Sequence, residues 1–516
     1  MSDSSVKFLF LTSVLGNVLR GGLNFLSIVI IARGLGTNDY GELSFLLASF
    51  AALRVLLDMG TSSAFFTFLS QKARNIQFIL IYMTWQVFLF SLPLLIIGWV
   101  LPNEWIDFIW VGSNKNIVLL AFVAVFLQQQ TWQSLIHIGE SKRLTKRVQV
   151  LNVSISAMHL LLVVIAWQTI GLSIELIFGL VILEYLLVVP VAWQVLSVKD
   201  MGSGEWDGRG VWKAYRNYCV PLVFLGCLTF GMNISDRWFL QYFGGSKEQA
   251  FFSIGNQFSV VCLLLTTSMI RVFWKEISEA LESDNLGRVK VLFRKTCRTF
   301  FIASAVFSGF LIPWSKDITQ IFLGPSFKEG SVVLAVMFLY PIHQSLGQIS
   351  TTMLMASSNT KTRLLVGCVS MSISIPVSYF VQASPDALIS GFGLGAEGMA
   401  WKMVLLNIIW ANLTVWLISK KYKWEFDWIY QVVGLVIFLF LGWISFEIIN
   451  ALDVMVPLSL MLKACITLLL YSMLSGLVIW ALPWLVGMTR KELKSNISYV
   501  LAPNRIGIQT FSAKGD

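Results

Sequence analysis

Five cations sit where cations are costly. Arg20, Arg54, Arg237, Arg271 and Lys402 each fall inside an otherwise apolar stretch, of the roughly twenty residues that span a bilayer. A charged side chain at mid-bilayer costs roughly 2.5–3.5 kcal/mol on insertion scales, so it belongs against protein or a water-filled cavity. The chemistry available to such a set is anion binding. A guanidinium donates paired hydrogen bonds from a planar fork and keeps its charge when buried, which suits phosphate oxygens. Three or four arginines around one cavity would match a pyrophosphate.

The neighbours of these cations sharpen and also complicate that reading. Arg20 belongs to a polar stripe at helical spacing, formed by Ser13, Asn17, Arg20, Asn24 and Ser27. Arg54 and Asp58 are four apart and share a helix face. Asp236 precedes Arg237, with Asn233 and Gln241 nearby. These two acid–base pairs also read as local neutralisation that holds helices together. Arg271 shares a face with Asn256, Val260 and Thr267, and Lys402 either snorkels or pairs with Glu397. Glu184 is an isolated membrane acid that either carries a coupling proton or neutralises a cavity arginine. Gln128, Gln129 and Gln130, with Gln344 and Gln348, offer amides to sugar hydroxyls or to neighbouring helices. His137, His159 and His343 are too scattered for a metal site and read as single hydrogen-bond donors between helices. The six cysteines form no C-x-x-C pair, so neither a disulfide framework nor a metal is expected. No phosphate-binding G-x-x-x-x-G-K-[ST] loop occurs, and no cofactor is expected.

The elements that carry these residues are membrane helices. Of 516 residues 56% are hydrophobic and 13% are charged, about half the ~25% charge of a soluble domain. Fourteen spans are expected, at roughly 8–32, 42–70, 76–101, 116–138, 148–169, 172–196, 217–243, 249–274, 299–323, 331–356, 364–382, 392–419, 428–450 and 456–486. The last is long enough to split near Pro483. With the N-terminus in the cytoplasm, only Arg33, Lys115, Lys247, Lys316, Lys328 and Lys463 of the 38 Lys and Arg fall outside. Apart from the five within spans, the rest lie inside, an alternation that predicts cytoplasmic termini. No cleavable leader is expected from MSDSSVKFLF. The longest connections, 197–216 and 275–298, are expected on the cytoplasmic side, and short outer loops leave no room for a soluble active site. The net charge of +10 reflects this topology, so no nucleic-acid partner is expected.

The chain carries a faint internal repeat. LGTNDYGELSF at 35–45 and FGGSKEQAFFSI at 243–254 each run from Gly through a polar turn and an acid into a new apolar segment. The offset is about 208–209 residues. QQQTWQSLIHIG at 128–139 and HQSLGQISTTM at 343–353 share an unusual polarity. The expected organisation is therefore two six-helix lobes, 1–200 and 201–420, then an extra helix pair at 421–486 and a cytoplasmic tail at 487–516. Repeats with a site between them are a common transporter plan.

Three stretches carry a resemblance to a known family. IIARGLGTNDYGELSFLLASFAALRVLLDMGTSSAFFTFLSQ at 30–71 resembles the N-terminal signature of the Wzx-type polysaccharide flippases of the multidrug/oligosaccharidyl-lipid/polysaccharide (MOP) exporter superfamily. NISDRWFLQYFGG at 233–245 resembles that family's seventh helix, and GFGLGAEGMAWKMVLLN at 391–407 the glycine-rich start of its twelfth. The resemblance covers about residues 1–420. It implies an all-α polytopic protein whose lobes form a V around a central cationic cavity. It also implies an undecaprenyl-pyrophosphate-type lipid-linked oligosaccharide as substrate, moved from the cytoplasmic to the periplasmic leaflet of a bacterial inner membrane. Membrane lipid and the polysaccharide polymerase machinery are the further partners implied. In the related lipid II flippases the cavity arginines come from helices one, two and eight, which here carry Arg20, Arg54 and Arg271. The last two spans resemble that lipid II branch, where the extra pair forms a groove for the lipid tail.

Rival functions divide on the same residues. A drug exporter of the superfamily would favour an acidic cavity for cationic drugs. A membrane glycosyltransferase or polymerase would need outer-loop carboxylates, for which Asp39 and Glu42 are the candidates. A structural partner of a polysaccharide assembly complex would leave the intramembrane arginines without a purpose.

Overall fold

In the computed structural model, the described residues are 3–71, 76–196, 208–455 and 457–501. Side chains are described for these residues except 3–11, 209, 264, 265, 267, 268, 271, 455 and 496–501. Among the described residues the chain is all helix, with no strand. In lipid every backbone amide and carbonyl must be satisfied within its own segment, and helices do this locally. The protein is therefore an all-α, multi-pass membrane protein.

The chain opens with α1 (Asp3–Asp58), α2 (Thr61–Gln71), α3 (Ile76–Leu95), α4 (Asn103–Ile109) and α5 (Lys115–Val125). There follow α6 (Trp132–Ser141), α7 (Thr145–Thr169), α8 (Ile174–Val195), α9 (Gly208–Phe239) and α10 (Gly245–Cys262). The second half holds α11 (Leu264–Glu282), α12 (Leu286–Leu311), α13 (Ser315–Ile318), α14 (Ser331–Met337) and α15 (Tyr340–Ala356). It closes with α16 (Thr360–Gln382), α17 (Gly395–Tyr422), α18 (Ile429–Met455), α19 (Leu460–Ala481) and α20 (Arg490–Leu501).

Ten segments are long and apolar enough to cross a membrane, and α12 with Ser315–Leu323 forms an eleventh bent by 71°. Two of the ten, Thr12–Asp58 with 47 residues and Gly210–Cys262 with 53, have the length of two crossings. Each bends at a glycine. Gly36 has φ 76° and ψ −175°, and Gly245 has φ 78° and ψ 179°. That backbone region is essentially closed to residues with a Cβ, so glycine is what permits the turn. The two glycines stand at the offset of the sequence repeat. The stretch Lys115–Ser141 is continuous helix with a wide π turn at Phe126–Thr131. Its polar QQQTWQ run makes it less apolar than the other spans. Every one of the fourteen expected spans falls on helix.

Two expectations about boundaries change. The expected connection 275–298 is itself helical. α11 runs to Glu282, three residues turn, and Asn285 caps α12 by accepting from the Arg288 amide at 2.9 Å. Charged residues there pair along the hairpin, Arg288 with Glu276 at 2.7 Å, and so keep a helix form in a polar segment. The other long connection, 197–216, lies outside the described residues up to 207. The last span ends as α19 at Ala481, followed by a 3-10 turn at Pro483–Val486.

Contacts group the chain into two compact units. The first comprises 1–261, 315–337 and 364–406, and the second 262–314, 338–363 and 407–516. Three of the five unit boundaries fall inside α10, α16 and α17. In the first unit the two turns of the repeat touch, because Gly41 lies against the backbone of Ser246 and has no room for a Cβ. Segments expected on one side of the membrane meet one another. Arg33 donates to the Ile321 carbonyl at 2.9 Å, Lys247 pairs with Glu329 at 2.5 Å, and Trp238 donates to the Phe108 carbonyl at 3.3 Å. Arg147 donates to the Val195 carbonyl at 2.9 Å, joining two segments expected on the other side.

The second unit has an apolar core in two parts. Phe273, Ile277, Phe293, Leu346, Met353 and Val415 pack one cluster, and Phe301, Ile342, Tyr430, Phe438 and Leu485 the other. α12 and α18 approach closely at Gly309 and Gly442, where neither position has room for a side chain. Arg298, 8% exposed, holds both oxygens of Asp427 at 2.7 and 2.9 Å and donates to the Trp484 carbonyl. α20 begins with a capping box. Glu492 accepts from the Thr489 amide at 2.7 Å, and Thr489 Oγ1 accepts from the Glu492 amide at 3.3 Å. The Thr489 amide holds the Glu492 carboxyl below its ordinary value.

Candidate functional site: a cationic cavity in the first unit

The first unit encloses a cavity of about 660 Å³. The first arm of α1 contributes Arg20, Asn24 and Ser27, and the second arm contributes Tyr40, Ser44 and Arg54. α7 presents Asn152, Ser156 and His159 at helical spacing, and α8 presents Val181, Glu184 and Tyr185. Arg237 of α9 and Ser253 and Gln257 of α10 complete the wall. Three guanidiniums thus face one space with a single carboxylate.

The π turn at Phe126–Thr131 decides which glutamines reach this space. A wide turn shifts the register that an α-helix would keep, and such turns recur at functional sites. Gln128, Gln129 and Gln133 line the cavity. Gln130, which the sequence offered as a cavity residue, is 2% exposed and faces the other way. Its amide donates to Asp58 Oδ1 at 3.0 Å and to Ser62 Oγ at 3.1 Å, and its carbonyl accepts from Arg54 Nη1 at 3.4 Å. It braces Arg54 from behind.

The local ion pairs read from the sequence are replaced by others. Asp58 ends α1 and caps α2. Its Oδ1 accepts from the Ser62 amide at 3.0 Å, from Ser62 Oγ at 2.5 Å and from Thr61 Oγ1 at 3.1 Å. Arg54 reaches Asp58 only through Gln130, and the buried Arg54 Nε has no partner among the described residues. Asp236 and Arg237 are adjacent, so a helix points them about 100° apart, given 3.6 residues per turn. Arg237 donates to Ser253 Oγ at 2.9 Å and lies 4.8 Å over the Phe252 ring. Asp236 instead accepts from Lys402 Nζ at 2.6 Å and from Ser378 Oγ at 2.5 Å. Lys402, 5% exposed, therefore pairs with Asp236 rather than Glu397, and it is not part of the cavity wall.

Glu184 is 1% exposed, and both its oxygens meet His159 Nδ1, at 2.9 and 3.0 Å. The carboxylate is thus matched by an imidazole and not by one of the arginines. Asn152 accepts from Trp132 Nε1 at 3.0 Å and fixes the indole in the wall. His159, Asn152 and Trp132 were not singled out in the sequence as cavity residues. The i, i+4, i+7 run of Asn152, Ser156 and His159 is the signal that marks them.

The remaining candidates lie elsewhere. Asn17 is exposed on α1 and does not line the cavity. Gln344 is half-buried on α15 in the second unit. The side chain of Arg271 lies outside the described residues.

The architecture matches known transporters. The MatE family model matches residues 221–380. A lipid II flippase, MurJ, in an inward closed conformation superposes with a TM-score of 0.67 at 12% identity, covering 91% of this chain and 99% of that one. An inward-facing multidrug resistance MATE transporter gives 0.60 at 14% identity, covering 78% and 94%. A MOP-superfamily transporter from Pyrococcus furiosus, whose binding pocket is described as reversed in polarity, gives 0.55 at 14% identity, covering 80% and 94%. No curated protein matches this sequence. The chain has the fold of the MOP-superfamily transporters, and identities this low speak to the fold alone.

Proposed function

We propose that this chain is a flippase of the Wzx type. It moves an undecaprenyl-pyrophosphate-type lipid-linked oligosaccharide from the cytoplasmic to the outer leaflet of a bacterial inner membrane, with both termini in the cytoplasm, for cell-surface polysaccharide synthesis. The observation that carries this reading is the convergence of Arg20, Arg54 and Arg237 on one cavity whose only carboxylate among the described residues, Glu184, is already matched by His159. Such a wall attracts a pyrophosphate, and its amide and hydroxyl groups suit an attached sugar. Alternating access then moves the ligand only if the cavity binds it more weakly when open to the outside.

The test is transbilayer movement of a glycan-tagged polyprenyl pyrophosphate in proteoliposomes. Arg54→Ala is expected to lower the initial rate about 10- to 100-fold, the equivalent of the ~1.5–3 kcal/mol of a hydrogen bond to a charged group. Unchanged movement in folded Arg54→Ala protein would remove the cavity from the mechanism. The MatE match supports a second reading, export of cationic drugs. Three arginines against one carboxylate repel such cargo, so ethidium efflux at a rate comparable to a drug exporter's would favour that reading instead.

A further inference from the structure

A second cleft in the first unit has the opposite character. It measures about 350 Å³ and lies where the turn after α9 meets the segment joining α16 to α17. Phe243, Glu248, Gln382, Ser384, Pro385 and Gly395 are among its walls, and none of its lining residues is Lys or Arg. In the topology given by the charge bias, both segments lie on the outer face.

The cleft is a built site. The segment 383–394 folds back onto the end of α16. The amides of Phe392, Gly393 and Leu394 donate to the carbonyls of Phe380, Ala383 and Val381 at 2.8, 2.8 and 3.0 Å. Tyr379 Oη donates to the Ile389 carbonyl at 2.9 Å. Glu248 Oε2 accepts from the Ala396 amide at 2.7 Å. Its Oε1 has no partner among the described residues. Gln382 Nε2 donates to the Gly395 carbonyl at 2.8 Å and braces that corner. Ser384 Oγ accepts from the Asp386 amide at 3.2 Å, which leaves its hydroxyl proton free to donate. One aromatic ring, that of Phe243, lines the cleft, and other rings pack behind it. The Phe243 ring stands 5.0 Å from Tyr242 and 5.9 Å from Tyr379, and Tyr242 stacks on Trp238 at 4.7 Å.

We infer that this cleft binds a neutral hexopyranose ring. A free carboxylate oxygen and a free hydroxyl beside an aromatic face are what vicinal hydroxyls and the C–H face of a sugar require. The size lies in the 300–1,000 Å³ range of small-molecule sites and far above that of an ion. Glu248, in a lining without Lys or Arg, disfavours phosphate. Under the flippase reading the cleft is a second contact for the glycan of a ligand whose phosphate end suits the arginine cavity. That role rests on the flippase reading, whereas sugar binding itself does not.

The test is saturation-transfer difference NMR on the full chain in nanodiscs with glucose, galactose and N-acetylglucosamine. These probes carry neither phosphate nor lipid, so their binding is read independently of flipping. Transfer from at least one sugar is expected in the wild type. Phe243→Leu is expected to reduce its affinity about tenfold, equivalent to ~1.4 kcal/mol. Glu248→Gln, which keeps an acceptor for the Ala396 amide, is expected to weaken it to a smaller extent. Absence of transfer from all three sugars in folded protein overturns the assignment. So does binding unchanged in both cleft variants, or lost only in Arg54→Ala, which would place the sugar in the arginine cavity.

Discussion

The helix that bends at Gly36 and the one that bends at Gly245 turn on glycines of nearly the same φ and ψ and dispose of their charge differently. In the first, Arg20 and Arg54 face the cavity, and neither has a carboxylate within salt-bridge distance among the described residues. In the second, Asp236 is neutralised by Lys402 from α17, and Arg237 is left to the cavity with a hydroxyl and an aromatic ring. The repeat preserved a turn that only glycine can make. It did not preserve the disposition of charge, which is a neutralised pair in one arm and cavity-facing guanidiniums in the other. Separating those two jobs is what the comparison predicts, and substitutions can test it.

The largest effect should come from the neutralised side. Lys402→Met leaves Asp236 charged and half-buried with only the Ser378 hydroxyl as a partner, which should cost about 3 kcal/mol of stability. Thermal unfolding in detergent, followed by loss of monodispersity, reads it. The double variant Asp236→Asn/Lys402→Met removes the stranded charge and should recover most of the loss. A double variant as unstable as the single would mean that the pair has another task.

Arg20→Ala should do the reverse. Arg20 is exposed in the cavity and spends no hydrogen bond on a neighbouring carboxylate. Its removal should lower transport of the tagged lipid about tenfold or more, while the unfolding midpoint stays near that of the wild type. A large stability loss would move Arg20 to the structural class and blur the contrast between the two arms.

The smallest effect should be shared by both turns. Gly36→Ala and Gly245→Ala each force a Cβ into a backbone region that costs about 1–3 kcal/mol. Similar losses at the two positions would confirm that the turns are equivalent. A loss at one only would show that the repeat has relaxed there.

Much of this was legible in the residues. Apolar length gave the helices, the glycine turns gave the repeat, and intramembrane charge led to Arg20, Arg54, Arg237 and Glu184, which share one cavity. What escaped was set by long-range packing. The partner of Asp236 stands on α17, far along the chain, and local spacing offered Arg237 for Asp236 and Glu397 for Lys402 instead. Asp58 looked like a partner for Arg54 because a four-residue spacing favours pairing. The helix ends at Asp58, though, and the start of α2 claims the carboxylate. His159 was read as a hydrogen-bonding residue between helices, as its contact with Glu184 on the next helix shows, but its place in the cavity wall was not legible.

The wide turn at Phe126–Thr131 has a consequence for how such a protein can change over generations. A π turn is a helix carrying one residue more than its neighbours require. Deleting one glutamine from the run 128–130 would restore ordinary helical winding between α5 and α6 without unseating either. It would also exchange which amide braces Arg54 and which looks into the cavity. A single-codon loss at this point can therefore redraw the cavity lining while the scaffold persists.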